Sequence, residues 1–229
     1  MTVPAVVTLH LWGVPGVAVP RALLRMGLDR PLMRRTPARF WKLLGTGNGR
    51  TFTVRDADPN HWGVLATWDD EGDARVFEHS PTVRGWDALA DERLVVRMRP
   101  LASHGTWAGR TPFGNPRPPR VTGPVASITR ARIRPGKAMT FWRAVPPVST
   151  DLHRVDGLRL AVGIGEAPIG LQGTFSLWRD SEALTSFAHR RSPHLEAIAR
   201  TATEDWYAEE LFARFGVLDV EGTFAGSTP

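Results

Sequence analysis

Apolar and polar positions alternate along most of this chain, and the rhythm is interrupted by short stretches with helical spacing. AVVTLHLW, residues 5 to 12, sets β-branched and apolar side chains in the two-residue period of a strand. After Pro20 the period lengthens. Leu23, Leu24, Met26 and Leu28 predict a short helix, with Pro31 as its break and an irregular arginine-rich extension beyond it. FWKLLGTG predicts a second strand, NGRTFTVRDADPN a loop, and HWGVLATW a third strand. DDEGDARVFEHSPTVRGWDALAD is helical with a break at Pro81, and ERLVVRMRPLASHGTWAG is a fourth strand. Strand, helix, strand, strand, helix, strand is the ferredoxin-like order.

The same order follows a second time. VASITRARI predicts a strand, a helix after Pro135 carries Phe141 and Trp142, and GLRLAVGIG and LQGTFSLW predict two more strands. SEALTSFAHRRSPHLEAIA predicts a helical pair, with Ser181 as N-cap and Pro193 in a first turn, and WYAEELFARFGVLDVEG predicts the last strand. The copies match residue by residue. GVLATWDD, ARVFEH and HGTWAGRTP fall opposite GTFSLWRD, LTSFAH and EGTFAGSTP, which pairs Trp68 with Trp178, Phe77 with Phe187 and His79 with His189. Trp107 and Phe224, and Pro112 and Pro229, are likewise equivalent. A fixed-order match of this length implies two similar units packed together. The expected fold is α+β: tandem ferredoxin-like repeats forming a single-chain, pseudo-dimeric α/β barrel. The expected units are residues 1–112 and 124–229, joined by a proline-rich linker at 113–123. A homodimer is compatible with this plan, but barrel closure does not require one.

Composition narrows the function classes. With 42% hydrophobic and 23% charged residues the chain is globular, and no apolar run reaches the ~20 residues of a membrane span. Met1 to Trp12 shows no secretory pattern, so a cytoplasmic location and no integral membrane segment are expected. The absence of cysteine excludes disulfides, thiolate zinc sites, cysteine-held iron–sulfur clusters and thiolate-ligated haem. The net charge of +6 comes from arginine, Lys42 and Lys137 being the only lysines. Scattered arginines do not make a nucleic-acid footprint, and an acidic protein partner or a carboxylate-bearing ligand accounts for the charge as well.

The seven histidines include no H-x-x-x-H pair, and no P-loop, G-x-S-x-G or dinucleotide fingerprint in its proper context occurs. His79 and His189 occupy equivalent positions, which favours a shared packing role. His194 has no counterpart in the first copy, and it reads either as a ligand or as a solvated helix-start residue. Glu166 and Gln172 flank the turn GIGEAPIGLQ and are candidate site groups, as is Lys42; loop or strand solvation is the competing reading for each. Glu209 and Glu210 are adjacent on a strand, so they face opposite sides and form no carboxylate pair. Phe40 with Trp41, Phe141 with Trp142 and Trp206 with Tyr207 either wall an apolar pocket or fill the core.

FWKLLGTG, GIGEAP, Gln172 with TFSLW, PHLEAI, WYAEELFARF and EGTFAG, in this order over nearly the whole chain, resemble the spheroidene monooxygenase family of acyclic-carotenoid ketolases. The resemblance implies a haem (heme) cofactor, a ferredoxin-type electron donor, and oxygen insertion into an apolar small molecule, carotenoid-like or a secondary metabolite. It implies His194, which stands inside PHLEAI, as the axial ligand. Arg159 and Arg190 are then expected to pair with propionates, Phe40 and Trp41 to line the cofactor, and Gln172, Glu166 and Lys42 to be catalytic. The chain departs from the family pattern at Leu160–Ala161 and Ile169–Gly170, both expected in the pocket wall. Two other readings stand beside this one: a redox-neutral haem enzyme acting on an N–O substrate, by dehydration or rearrangement, and a haem- or apolar-ligand-binding protein without turnover.

Overall fold

The computed structural model describes residues 2–47, 56–117, 121–137, 140, 155–166, 171–190, 204 and 206–229, without the side chains at 171, 172, 189 and 190. The first half contains β1 (Val6–Gly13), α1 (Val19–Met33), β2 (Phe40–Gly47), β3 (Ala57–Trp68), α2 (Glu71–Phe77), α3 (Pro81–Asp87) and β4 (Glu92–Gly105). The second contains β5 (Val125–Ile133), β6 (Leu158–Gly165), β7 (Leu171–Trp178), α4 (Ser181–Arg190) and β8 (Tyr207–Gly222). The eight strands form one closed antiparallel barrel in the order β1-β3-β2-β6-β7-β5-β8-β4. Each half contributes its strands in the same spatial order, and the halves meet second strand to second strand (β2–β6) and fourth to fourth (β4–β8). The expected single-chain barrel is therefore what forms, and it leaves no sheet edge unpaired. Among the described residues no helix is long and apolar enough to cross a membrane.

Strand alternation sorts the side chains into two layers. Val7, Leu9 and Leu11 of β1, Leu94, Val96 and Met98 of β4, Ala126 and Ile128 of β5 and Phe175 and Leu177 of β7 point inward and pack as one buried cluster. The intervening residues point outward. In the first half Val6, Trp12, Leu43, Val64, Ala66 and Trp68 join Ala22 and Met33 of α1, Phe77 of α2 and Trp86 of α3 in a second core between sheet and helices.

The repeat survives as geometry. Trp68 packs on Phe77 with ring centroids 5.0 Å apart, and Trp178 on Phe187 at 5.5 Å. Asp70 caps α2 by accepting from the Gly72 and Asp73 amides, and Asp180 accepts from the Ala183 amide at 2.8 Å. Asp180, rather than Ser181, is thus the cap, because Ser181 is already the first helical residue. Two other sequence expectations shift. Pro31 does not break α1, since it falls in the last turn, where few hydrogen bonds follow, and the helix ends at Met33. Strand β3 begins at Ala57, inside the expected loop, because Asp58 and Ala57 pair with Thr46 and Gly47 beyond a bulge. The expected helix at Phe141 and Trp142, and Pro193, lie outside the described residues.

His10 sits fully buried in the outer core of the first half, stacked on Trp12 at 5.5 Å and edge-on to Phe77, and neither ring nitrogen has a partner in the structure. Burial, with the positive charges of Arg93 and Arg97 behind it, lowers its pKa from 6.5 to about 3. The folded state therefore resists a proton that the unfolded chain accepts, so stability is fully present above pH 6.5 and lost as pH falls toward 3. A tenfold difference in proton affinity between the two states is about 1.4 kcal/mol, so a loss of a few kcal/mol is expected across that range. A His10→Leu variant should show a much flatter stability profile between pH 6.5 and 4, measured by urea unfolding; an unchanged profile would contradict this.

Candidate functional site

Two regions of the barrel break the repeat, one inside and one outside. Inside, four charged side chains occupy inward positions at one end. Arg130 extends the inward row of Ala126 and Ile128, Lys42 lies between inward Phe40 and Leu44, Glu209 precedes inward Leu211, and Glu166 follows inward Ile164. Glu166 Oε1 accepts from Trp107 Nε1 at 2.5 Å and from Arg130 Nη2 at 3.1 Å, and its Oε2 accepts from Lys42. Arg130 also donates to Glu209, and its guanidinium lies over the Trp107 ring, 5.6 Å from the centroid. Side-chain exposures of 4% for Arg130 and 7% for Glu209 show how far this network is removed from water.

The turn Trp107–Arg110 closes that end of the barrel. Ala108 and Gly109 have positive φ, 54° and 70°, which directs the Gly109 amide onto Glu209 at 2.7 Å. Thr106 Oγ1 adds a bond at 3.1 Å. The Glu209 carboxyl must overcome burial, yet these amide donors and Arg130 bring its pKa from 4.5 down to about 2. The opposite end uses the same device with fewer charges: Ala225 and Gly226, φ 51° and 74°, donate to Glu92 at 2.8 and 2.7 Å. There, positions matching Arg130, Lys42 and Glu166 are Leu11, Val162 and Thr46. Every carboxylate in the inner cluster already has at least two donors, and Lys42–Glu166 spans the β2–β6 seam, where three residue pairs join the halves among the described residues. The arrangement has the geometry of a lock, tying strands of both halves at this end of the barrel.

Outside, the difference is one of size. Strand registers make His10–Val64–Leu43 of the first sheet equivalent to Thr129–Thr174–Gly163 of the second. The next rung, Thr8–Ala66–Trp41, becomes Ser127–Ser176–Ala161, and Trp12 becomes Ala131. His10, Leu43, Trp41 and Trp12 of the first sheet are thus replaced by the smaller Thr129, Gly163, Ala161 and Ala131 on the second. Among the described residues, Ala183, Leu184 and Phe187 of α4 rest on Trp178 and Val125 on that face, with Leu101, Val155, Leu158 and Ala161 packed against them. Thr129 is exposed, and so, at 42%, is its neighbour Phe212. We term this outer face of the second sheet the cradle.

The sequence-predicted residues distribute over both regions. Lys42 and Glu166 come together, as an ion pair in the interior. Phe40 is buried inside the barrel against Trp107, whereas Trp41 packs in the outer core of the first half, so these two do not wall a common pocket. Arg159 is exposed at the bulge of β6. Ala161 is on the outer face, while Leu160 packs against the interior cluster, so only one of that pair faces the cradle. Gln172 is described only by its backbone, paired with Gly165 and Ala131. His194, the Arg190 side chain and Ile169–Gly170 lie outside the described residues. Among those described, no group of three metal-ligating side chains converges. His104, on β4 of the first half, is exposed and pairs in register with Phe212 of β8.

Sequence reasoning missed Arg130, Glu209 and Trp107. The signal was present: Arg130 completes an inward-facing row that is otherwise apolar, where an unpaired charge would not be tolerated.

No family model matches the chain. Among curated proteins, spheroidene monooxygenase of Rhodobacter capsulatus is 38% identical over 98% of this chain and 95% of its own length. Spheroidene monooxygenase of Rubrivivax gelatinosus is 39% identical over 86% of this chain and 75% of its own. Among solved structures, an aldoxime dehydratase in complex with butyraldoxime shares the fold with TM-score 0.62 and 12% identity, covering 95% of this chain and 81% of that one. A further aldoxime dehydratase structure gives TM-score 0.58 over 93% and 81%.

If the inner cluster is a lock, Arg130→Met should lower the unfolding free energy by about 3 kcal/mol, because Glu166 and Glu209 would then face each other without their shared cation. Glu209 contributes stability above pH 4.5 that is lost as pH falls toward 2; without Arg130 its folded pKa rises and that loss should be smaller. Denaturant titrations at pH 7 and pH 4 check both points. Wild-type stability in the variant would contradict the lock.

Proposed function

The chain belongs to the spheroidene monooxygenase family and is a monooxygenase, and we propose from that membership that it is haem-dependent, with the cofactor on the outer face of the second sheet. The observation that carries this placement is the rung-by-rung replacement of His10, Val64, Leu43, Trp41 and Trp12 by Thr129, Thr174, Gly163, Ala161 and Ala131. Smaller side chains at these rungs support a flat macrocycle against that face in this reading. His194 is the axial ligand in this reading. Cysteine is absent, Tyr207 is the sole tyrosine, and His194 is the histidine that stands inside a family motif and breaks the repeat. Arg159, exposed at the edge of the same sheet, and Arg190 are suited to propionates.

Bound haem supplies oxygen activation when electrons are delivered to it. The protein's part is to orient an apolar substrate and exclude water beside the ring, and Thr129, Phe212 and Ala161 are placed to do so. The chain shows neither cysteines for an iron–sulfur relay nor a nucleotide-binding fingerprint, which supports a separate electron donor, and the family resemblance implies one of ferredoxin type. The substrate is a long apolar molecule, carotenoid-like, as the names of the relatives support.

The test uses two kinds of variant. His194→Ala should lose the haem Soret band while keeping the unfolding midpoint. Gly163→Leu combined with Ala161→Trp, which restores first-half side chains to the second sheet, should block haem uptake with the ligand intact. Unchanged haem content in both would overturn the reading, with His189 and His104 the next ligands to replace. Product formation should need both oxygen and reductant; turnover without either would point to redox-neutral chemistry instead.

A further inference from the structure

The helix α1 presents an unusual outer face. With 3.6 residues per turn, Ala22, Asp29 and Met33 fall on one side and are buried against the sheet and α3. On the opposite side lie Leu23, Leu24 and Leu28, exposed by 58%, 66% and 63%, together with Pro20, Gly27 and Pro31. Val17, in the turn leading into the helix, is 90% exposed. Nothing lies within 4 Å of where a Gly27 side chain would begin, so the strip is open. Arg21 and Arg30 border the strip on its two sides, and Arg34 and Arg35 follow at its end, all exposed. The only acid of the helix, Asp29, is buried and paired with Arg25 at 2.5 Å.

We propose that α1 is a membrane-surface anchor that lays this leucine strip into the interface of an anionic lipid bilayer, with the flanking arginines on lipid phosphates. An apolar strip edged by long cations and free of exposed acids matches the two layers of a bilayer surface, acyl chains inside and phosphates at the level of the helix axis. A second copy of this chain is a poorer occupant. An isologous contact through the strip would set Arg21 and Arg30 of one copy near those of the other, with no carboxylate between them. The purpose of the anchor, though not its existence, rests on the apolar-substrate reading: a long hydrocarbon substrate resides in membranes, and the barrel must collect it there.

Flotation of the full chain with vesicles tests the proposal. The protein should float with phosphatidylcholine–phosphatidylglycerol vesicles and much less with phosphatidylcholine alone. Leu24→Ser with Leu28→Ser should reduce the bound fraction about tenfold or more, and Arg21→Gln with Arg30→Gln about fivefold per arginine at low salt. These side chains are exposed, so the unfolding midpoint should not move. Equal flotation of the leucine variant, or no flotation of the wild type with anionic vesicles, would overturn the anchor. So would a wild-type dimer in light scattering that the leucine variant dissolves. Haem content measured on the same samples keeps the cofactor reading separate, because a failed anchor leaves the Soret band unchanged.

Discussion

A four-stranded sheet has two faces, and a single chain must cover both. Here the inner faces cover each other by closing into a barrel, so every strand is paired on both edges and the apolar rows of both sheets meet in one core. Closure is uneven. The β4–β8 seam is long and bulged, whereas β2–β6 joins three residue pairs. The Lys42–Glu166–Arg130–Glu209 network stands beside the short seam, where it ties strands of both halves and the Trp107 turn together. Buried charges of this kind stabilise only as a complete set, since each carboxylate depends on the neighbouring cation and amides.

The outer faces have no such mutual solution. The first half covers its own with three helices and tryptophan-rich packing, at the cost of burying a histidine that is never protonated near neutrality. The second keeps the same backbone registers but carries Thr129, Thr174, Gly163, Ala161 and Ala131 where the first carries His10, Val64, Leu43, Trp41 and Trp12. Duplication thus permits the two outer faces to diverge while the barrel core stays shared.

Most of the architecture was legible in the sequence because strand alternation and the internal repeat are strong, redundant signals. AVVTLHLW and VASITRARI fix which residues face inward, and the shared tryptophans align the halves. What was not legible depended on context beyond a few residues. Pro31 reads as a breaker, but its position in a last turn makes it tolerable. Ser181 reads as a cap, but Asp180 reaches the Ala183 amide first. Glu209 reads only as half of an adjacent pair, because its true partner is on β5, 79 positions away in sequence. Phe40 and Trp41 look like one aromatic wall until alternation separates them. The contrast between the two outer faces needs strand registers, which one sequence alone does not supply.

The central claim is that the two halves share a fold and divide its tasks, with the proposed haem on the outer face of the second sheet. Iron-edge anomalous diffraction from crystals of the haem-loaded protein tests it directly. The account requires one iron peak outside the barrel, over the rung formed by Thr129, Thr174 and Gly163. A peak inside the barrel beside Glu166 and Arg130, or against the first sheet, would contradict it.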